Sequence, residues 1–323
     1  MKLTLRPYAL PLARPVRGRV TRRGWLLGVE RDDARGWGEA ACWPGFGAGV
    51  RATRDALRGL VADRSPLERA LDAAEAADLE GVAAALAGVA APAARHAAEV
   101  AALDRAGRLR DAPLANTLAG GALPRTAVLV HALVNDASEV YAAPGQFRAV
   151  KVKLGSGSSD VARADLRRVT ELRIAIGPVA RLRLDCNGQW SVEEALARLP
   201  ALARLGIDFV EQPVARGDVE GLSRVRRETK VAVAVDEGVS TLDELLVHTR
   251  ARALDVLVIK PQAVGGLVPA RALARRARAE GARVVITHLL DAAVSNWPER
   301  VFQAVKSTMI RLDQATPSVA SAW

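Results

Sequence analysis

The sequence predicts a parallel (β/α) barrel preceded by a smaller α+β unit. Three observations carry that prediction. Four strand-like runs each end in a polar residue: Arg181 to Asp185, Ile207 to Glu211, Val231 to Asp236 and Asp255 to Lys260. The steps between those ends are 26, 25 and 24 residues, about one strand, one helix and two short loops. Residues 2 to 107, by contrast, read as a run of strands followed by a run of helices. Side chains at the C-terminal strand ends of such a barrel face one common site.

The N-terminal strands are read at 3–10, 24–30 and 36–40, with a turn at 31–35. Arginines and glycine at 14–24 read as a mobile loop, and Trp43 to Gly47 as a second loop carrying two exposed aromatics, Trp43 and Phe46. Packing beneath the loop is the alternative for both rings. Helical stretches follow at 50–62, 66–77, 79–87 and 91–106, punctuated by Ser65-Pro66, Gly88 and Pro92. His96 lies in the last of them without a visible partner. Residues 113–126 read as a linker.

Barrel strands are read at 126–134, 148–154, 181–185, 207–211, 231–236, 255–260 and 283–288. Helices fill the intervals near 159–175, 192–204, 218–228 and 241–251, and Gly265-Gly266 opens another that reaches Glu280. His131 falls within the first strand and reads as structural. His288 ends the seventh, so it is a candidate for the pocket lining. Beyond it, 292–311 reads as one helix and 312–323 as disordered, with no eighth strand. A seven-stranded barrel has two unpaired edges, an aggregation hazard unless covered, for instance by a second copy in a homo-oligomer. The expected domains are residues 1–112, 113–311 and a tail at 312–323.

Composition bounds the rest. The 323 residues are 50% hydrophobic and 4% aromatic, so a large core must be aliphatic and alanine-rich. No run of about 18 apolar residues exists, which excludes a transmembrane helix. The N-terminus leads into strand-like sequence and shows no signal peptide. Cys42 and Cys186 form no metal motif, and a reduced cytoplasm is expected. The net charge of +10 raises nucleic acid as a partner, but the arginines are spread through helices among acidic neighbours rather than gathered in one tract.

The chemistry begins at Lys151-Val152-Lys153. Alternation along a strand points both lysines the same way. The chain has 46 Lys+Arg but only six lysines, so it writes arginine where charge alone is wanted. Lysine, unlike arginine, gives up its proton when a site depresses its pKa. Seen alone, the pair is also compatible with lysines that snorkel to water. Asp185, Glu211 and Asp236, at the ends of three successive strands, would converge, and oxygen-only ligands suit a hard cation such as Mg²⁺, with Mn²⁺ as a substitute.

These residues, Lys151-Val152-Lys153, Asp185-Cys186-Asn187, Glu211-Gln212-Pro213, Asp236-Glu237 and Lys260-Pro261, resemble the enolase superfamily in its muconate-lactonising branch. The stretches Gly36 to Phe46 and Pro113 to Leu118 are most similar to the o-succinylbenzoate synthase family within it. The resemblance runs from about residue 3 to about 295. It implies an N-terminal capping domain on an enolase-type barrel, here shortened at its C-terminus, with the loops at 14–24 and Trp43 to Gly47 covering the pocket, so that Trp43 and Phe46 are candidates for its lining. It implies Mg²⁺ on Asp185, Glu211 and Asp236, with Asn187 and Glu237 orienting them. Lys153 would be the base, Lys151 a neighbouring cation that depresses its pKa, and Lys260 the group that stabilises the enediolate. The expected reaction is Mg²⁺-dependent dehydration of a small carboxylate to o-succinylbenzoate, a lyase step of menaquinone biosynthesis. The same residues serve an N-succinylamino acid racemase or dipeptide epimerase, with Lys260 as a second acid/base. A catalytically inactive barrel is the third reading.

Overall fold

The computed structural model describes residues 1–16, 18–119, 131–142 and 148–289. Described residues form two compact units: 1–119 with 259–275 and 286–289, and 131–258 with 276–285.

In the first unit, β1 (Lys2–Val16), β2 (Arg19–Arg31) and β3 (Ala34–Ala41) form an antiparallel sheet in that order. The loop expected at 14–24 is instead the end of a long hairpin. Pairing runs on through Thr21, Arg22 and Arg23 to Val16 opposite Arg19, after an irregularity between Pro11 and Val16. Composition misleads here because arginine stems tolerate a solvated ribbon as well as a loop. Leu27 and Val29 alternate into the main core, while Leu26 turns to the other face and packs with Trp37.

Four helices follow: α1 (Val50–Ala62), α2 (Ser65–Glu75), α3 (Leu79–Leu86) and α4 (Pro92–Leu109). Helix α4 is buried along nearly its whole length, and its alanines let it lie directly on β3. The approach demands glycine on the strand: a Cβ at Gly38 would fall 1.9 Å from the Ala97 carbonyl oxygen, and one at Gly36 2.0 Å from that of Ala101. Part of the expected linker is a short helix, α5 (Leu114–Ala119), because Leu114, Ala115 and Leu118 find burial.

The second unit carries the βα repeat. Its elements are β4 (Ala132–Val134), α6 (Ala137–Tyr141), β5 (Ala149–Lys153), α7 (Ser159–Ile176), β6 (Arg181–Asp185), α8 (Val192–Ala203), β7 (Ile207–Glu211), α9 (Val219–Thr229), β8 (Val233–Val235), α10 (Leu242–Arg250) and β9 (Val256–Ile259). Beyond them come α11 (Pro261–Val264), α12 (Leu267–Ala279) and β10 (Arg283–Ile286). The strands form one seven-stranded sheet in sequence order, β4 through β10, and every pair from β4 to β9 is parallel. Ser158, Ser191, Asp218 and Thr241 cap α7 to α10, so each strand end passes through a short loop into a firmly started helix. His131 precedes β4 rather than lying inside it, with Nδ1 2.8 Å from Arg183 Nη1. The helix expected at 292–311, the question of an eighth strand and the tail at 312–323 lie outside the described residues. Among the described residues, no helix is long and apolar enough to cross a membrane.

The segment after Lys260 is anchored within the first unit by Glu99. This buried carboxylate accepts the backbone N–H groups of Leu267 and Val268, the first turn of α12. Burial outweighs those bonds and the nearby Arg95, pushing its pKa up to about 7. A carboxyl raised in the folded state contributes stability below its unfolded pKa, near 4.5, and loses it as pH rises through 7. Glu99→Gln should therefore flatten the fall in unfolding free energy between these pH values by on the order of 3 kcal/mol, read from urea titrations at successive pH.

Candidate active site

Strand register builds the site. Lys153 pairs with Asp185, Asp185 with Glu211, and Glu211 with Ala234. Lys153, Asp185 and Glu211 thus form one row across β5, β6 and β7. Asp236 comes two residues after Ala234, directly after the end of β8. Lys151 lies one alternation below Lys153. The outward positions Val150, Val152, Leu182 and Leu184 are fully buried, which fixes the lysines and Asp185 to the inner face.

The end of β5 is held from several sides. Leu154 N–H donates to the Asp185 carbonyl at 2.9 Å. The Gly155 carbonyl accepts Trp190 Nε1 at 2.7 Å and Arg198 Nη1 at 2.9 Å, and Gly155 N–H donates to Asp165 at 2.8 Å. Lys153 is exposed at the end of this braced strand. Lys151 is mostly buried and reaches up its strand, placing Nζ 2.9 Å from Asp185 Oδ2 and 2.8 Å from Glu211 Oε1. Burial opposes its charge, but Glu211 and Asp185 overcome that and raise its pKa.

The carboxylates differ in their surroundings. Asp185 Oδ1 accepts both Asn187 N–H at 3.0 Å and Asn187 Nδ2 at 2.9 Å. Although burial opposes ionisation, Lys151 and these bonds hold Asp185 below the usual carboxylate range. Glu211 is driven the other way by burial and by the negative charges of Asp185 and Asp236, which together outweigh Lys151. Its Oε2 is buried and accepts no hydrogen bond. Asp236 is buried, and Glu237 is half-buried in the turn that follows.

Among the described residues, no three His, Cys, Asp or Glu side chains close into a ready cation cage. The residues still fit a hard divalent cation. The donor set is all oxygen, three negative groups act on one another, and one buried Glu211 oxygen lacks a donor.

The remaining expected residues belong to the first unit. Lys260 follows β9, with Nζ 3.9 Å from the centroid of the Phe46 ring. Trp43 is not the exposed loop aromatic expected from the sequence. It is 6% exposed, pairs with Phe46 across a tight turn, and carries the Arg22 guanidinium 5.5 Å from its ring. An indole face that packs a guanidinium gains more by burial than by display. Phe46 is half-buried, and His288 is exposed near the C-terminal end of β10.

Sequence reasoning passed over Arg183. It shares the inner face of β6 with Asp185, one alternation below, and lies over the Phe209 ring at 4.9 Å. Its Nε donates to Asp208 at 3.0 Å, and Asp208 also accepts Arg283 Nη1 at 2.6 Å. The parity of Arg181-Leu182-Arg183-Leu184-Asp185 was the available signal.

Lys151→Met should remove the cation between Asp185 and Glu211 while keeping much of the side chain's volume. The expected loss is about 3 kcal/mol, since two buried carboxylates lose their partner. Urea unfolding in EDTA checks this, and Mg²⁺ should restore more stability to the variant than to the parent.

Comparison with known proteins places the geometry. The chain is 36% identical over 159 residues to an o-succinylbenzoate synthase of Thermobifida fusca, covering 49% of this chain and 48% of that protein. It is 31% identical over 173 residues to the L-Ala-D/L-Glu epimerase of Bacillus subtilis, covering 53% and 46% respectively. The chain thus spans about half the length of these curated relatives. The substrate-liganded structure of the Bacillus subtilis epimerase superposes with a TM-score of 0.77 at 24% identity, over 96% of this chain and 88% of that one. The expected fold class, an enolase-type barrel with an N-terminal capping domain, is therefore the one observed. The description "Enolase C-terminal domain-like" matches residues 132–308, more than half of the chain and the part that holds Lys151, Lys153, Asp185, Glu211, Asp236 and Lys260. The chain belongs to that family.

Proposed function

We propose that this protein is a Mg²⁺-dependent enzyme that removes a proton α to the carboxylate of a small substrate, and that its reaction is the dehydration forming o-succinylbenzoate. The observation that carries the reading is the register row Lys153, Asp185, Glu211, with Asp236 directly after β8. An amine able to take a proton stands beside oxygen ligands for a hard cation.

A proton α to a carboxylate is far less acidic than an ammonium, so its removal requires stabilisation of the enediolate. A divalent cation held by Asp185, Glu211 and Asp236 would supply that stabilisation electrostatically. Lys153 takes the proton from the α-carbon. Its place at the end of a braced strand gives it a fixed origin. Lys151 stays protonated and balances the carboxylates. Asn187 orients Asp185 through its two bonds, and Glu237 supports the turn carrying Asp236. The C–H electrons move into the ring as the substrate hydroxyl departs, and the proton on Lys153 leaves with it as water. Aromatisation drives the step.

The synthase reading is supported by the Thermobifida fusca relative. The epimerase similarities support a second reading, in which Lys260 exchanges a proton with the opposite face of the substrate carbon.

The two separate in one assay. Mg²⁺-dependent turnover of the hydroxylated succinyl-cyclohexadiene carboxylate should vanish with EDTA and fall by about 10³-fold in Lys153→Ala. N-succinylamino acid and L-Ala-D/L-Glu substrates, run in parallel, should show no comparable turnover. Racemisation or epimerisation without dehydration would move the protein to the second reading.

A further inference from the structure

We propose that Gln212 is the positioning residue that ties the three carboxylate-bearing strand ends together, and that it sets cation affinity through the backbone of Asp236. The proposal rests on the reading of Asp185, Glu211 and Asp236 as cation ligands.

Gln212 is fully buried directly after Glu211, where a long amide faces no obvious apolar role. Its φ is +40°, a left-handed conformation that a non-glycine residue adopts at a cost of order 1 kcal/mol. That conformation turns its groups toward both neighbouring strands. Its N–H donates to the Ala234 carbonyl on β8 at 2.8 Å, and its carbonyl accepts Gly188 N–H from the turn after β6 at 2.7 Å. Its side chain completes the bridge: Oε1 accepts Asp236 N–H at 3.1 Å, and Nε2 donates to the Val214 carbonyl at 3.0 Å.

Asp236 lies just past the last residue of β8, so ladder pairing no longer fixes it. The Gln212 amide supplies a bond that the sheet does not. The following turn is tight against Val235 and His248 and passes in ordinary contact with the same group. A Cβ on Gly238 would stand 2.8 Å from Val235 Cγ1 and 3.5 Å from Gln212 Oε1. One side chain thus carries the position of β7, which bears Glu211, to the turn bearing Asp236. Its own carbonyl does the same for the turn containing Asn187.

The test uses the full chain with Gln212→Met, which keeps length and removes the acceptor, and Gln212→Glu, which keeps an oxygen at that position. Amide hydrogen exchange, measured without cation, should speed up about tenfold at Asp236 in Gln212→Met, as expected for one lost hydrogen bond. Exchange at Cys186 and Gly188 should hold, because their bonds run from backbone to backbone. Calorimetric Mg²⁺ affinity should weaken about tenfold. Gln212→Glu should keep Asp236 protection within about threefold of the parent, since it keeps the acceptor.

Unchanged exchange at Asp236 would overturn the proposal, as would faster exchange with Mg²⁺ affinity still within about twofold of the parent. Should Gln212→Met not fold, Gln212→Asn withdraws the amide by one methylene and answers the same question. A parent protein that binds no Mg²⁺ overturns the cation-site reading itself. That result is distinct from the others because it appears without any substitution.

Discussion

Negative charge concentrated at neighbouring strand ends is the constraint on which the rest of the site depends. Asp185 and Glu211 are register partners, and Asp236 directly follows the next strand. Two unit charges about 4 Å apart repel by about 4 kcal/mol at an effective dielectric of 20. Backbone pairing forces Asp185 and Glu211 together, and Asp236 follows directly after β8, so compensation has to come from other groups. Lys151 supplies a full charge against two of them, and Asn187 supplies two donors to Asp185. Glu211 keeps one buried oxygen without a donor. A folded protein tolerates such a residue where function uses the unmet demand.

The alternation that assembles the site also divides the inner face of the sheet into layers. Arg183, Asp208 and Arg283 form a charged layer over Phe209. Phe209, Ala234, Val256 and Val258 fill an apolar layer, with Ala232 and Val285 packed against it. The lysines and carboxylates stand toward the C-terminal strand ends. Stability therefore resides in the lower layers, and the ends are free to hold groups that repel one another. Outward-facing valines and leucines lock the register, and a slip of one residue would turn the row of Lys153, Asp185 and Glu211 toward the helices.

What was legible in the sequence follows from that geometry. Lys151-Val152-Lys153 and the strand-end carboxylates are one-dimensional signals, because spacing and parity survive without coordinates. The hairpin through Arg19 to Arg23 was not legible, since arginine-rich composition suits a loop and a solvated ribbon alike. Trp43 was misjudged because the partner that covers it, Arg22, pairs with β1 and is known only once the strands are aligned. Glu99 was invisible for a stronger reason. It sits in an alanine-rich helix, and the N–H groups it satisfies lie 168 and 169 residues away. Gln212 was quoted as part of a motif, yet its role lies in a side-chain bond to a strand end 24 residues on.

The dehydratase and isomerase readings ask different things of Lys260. A dehydratase needs it only as a fixed positive charge, because the proton and the hydroxyl are both handled by Lys153. An isomerase needs it to deliver and retrieve a proton at carbon. The Phe46 ring face, 3.9 Å from Nζ, attracts the ammonium and restrains the direction in which it points. The loop of Trp43 and Phe46 thus packs two cations, Arg22 against one ring and Lys260 against the other. Burial follows the same division: Trp43, which holds the guanidinium, is 6% exposed, while Phe46, which faces the ammonium, is half-buried.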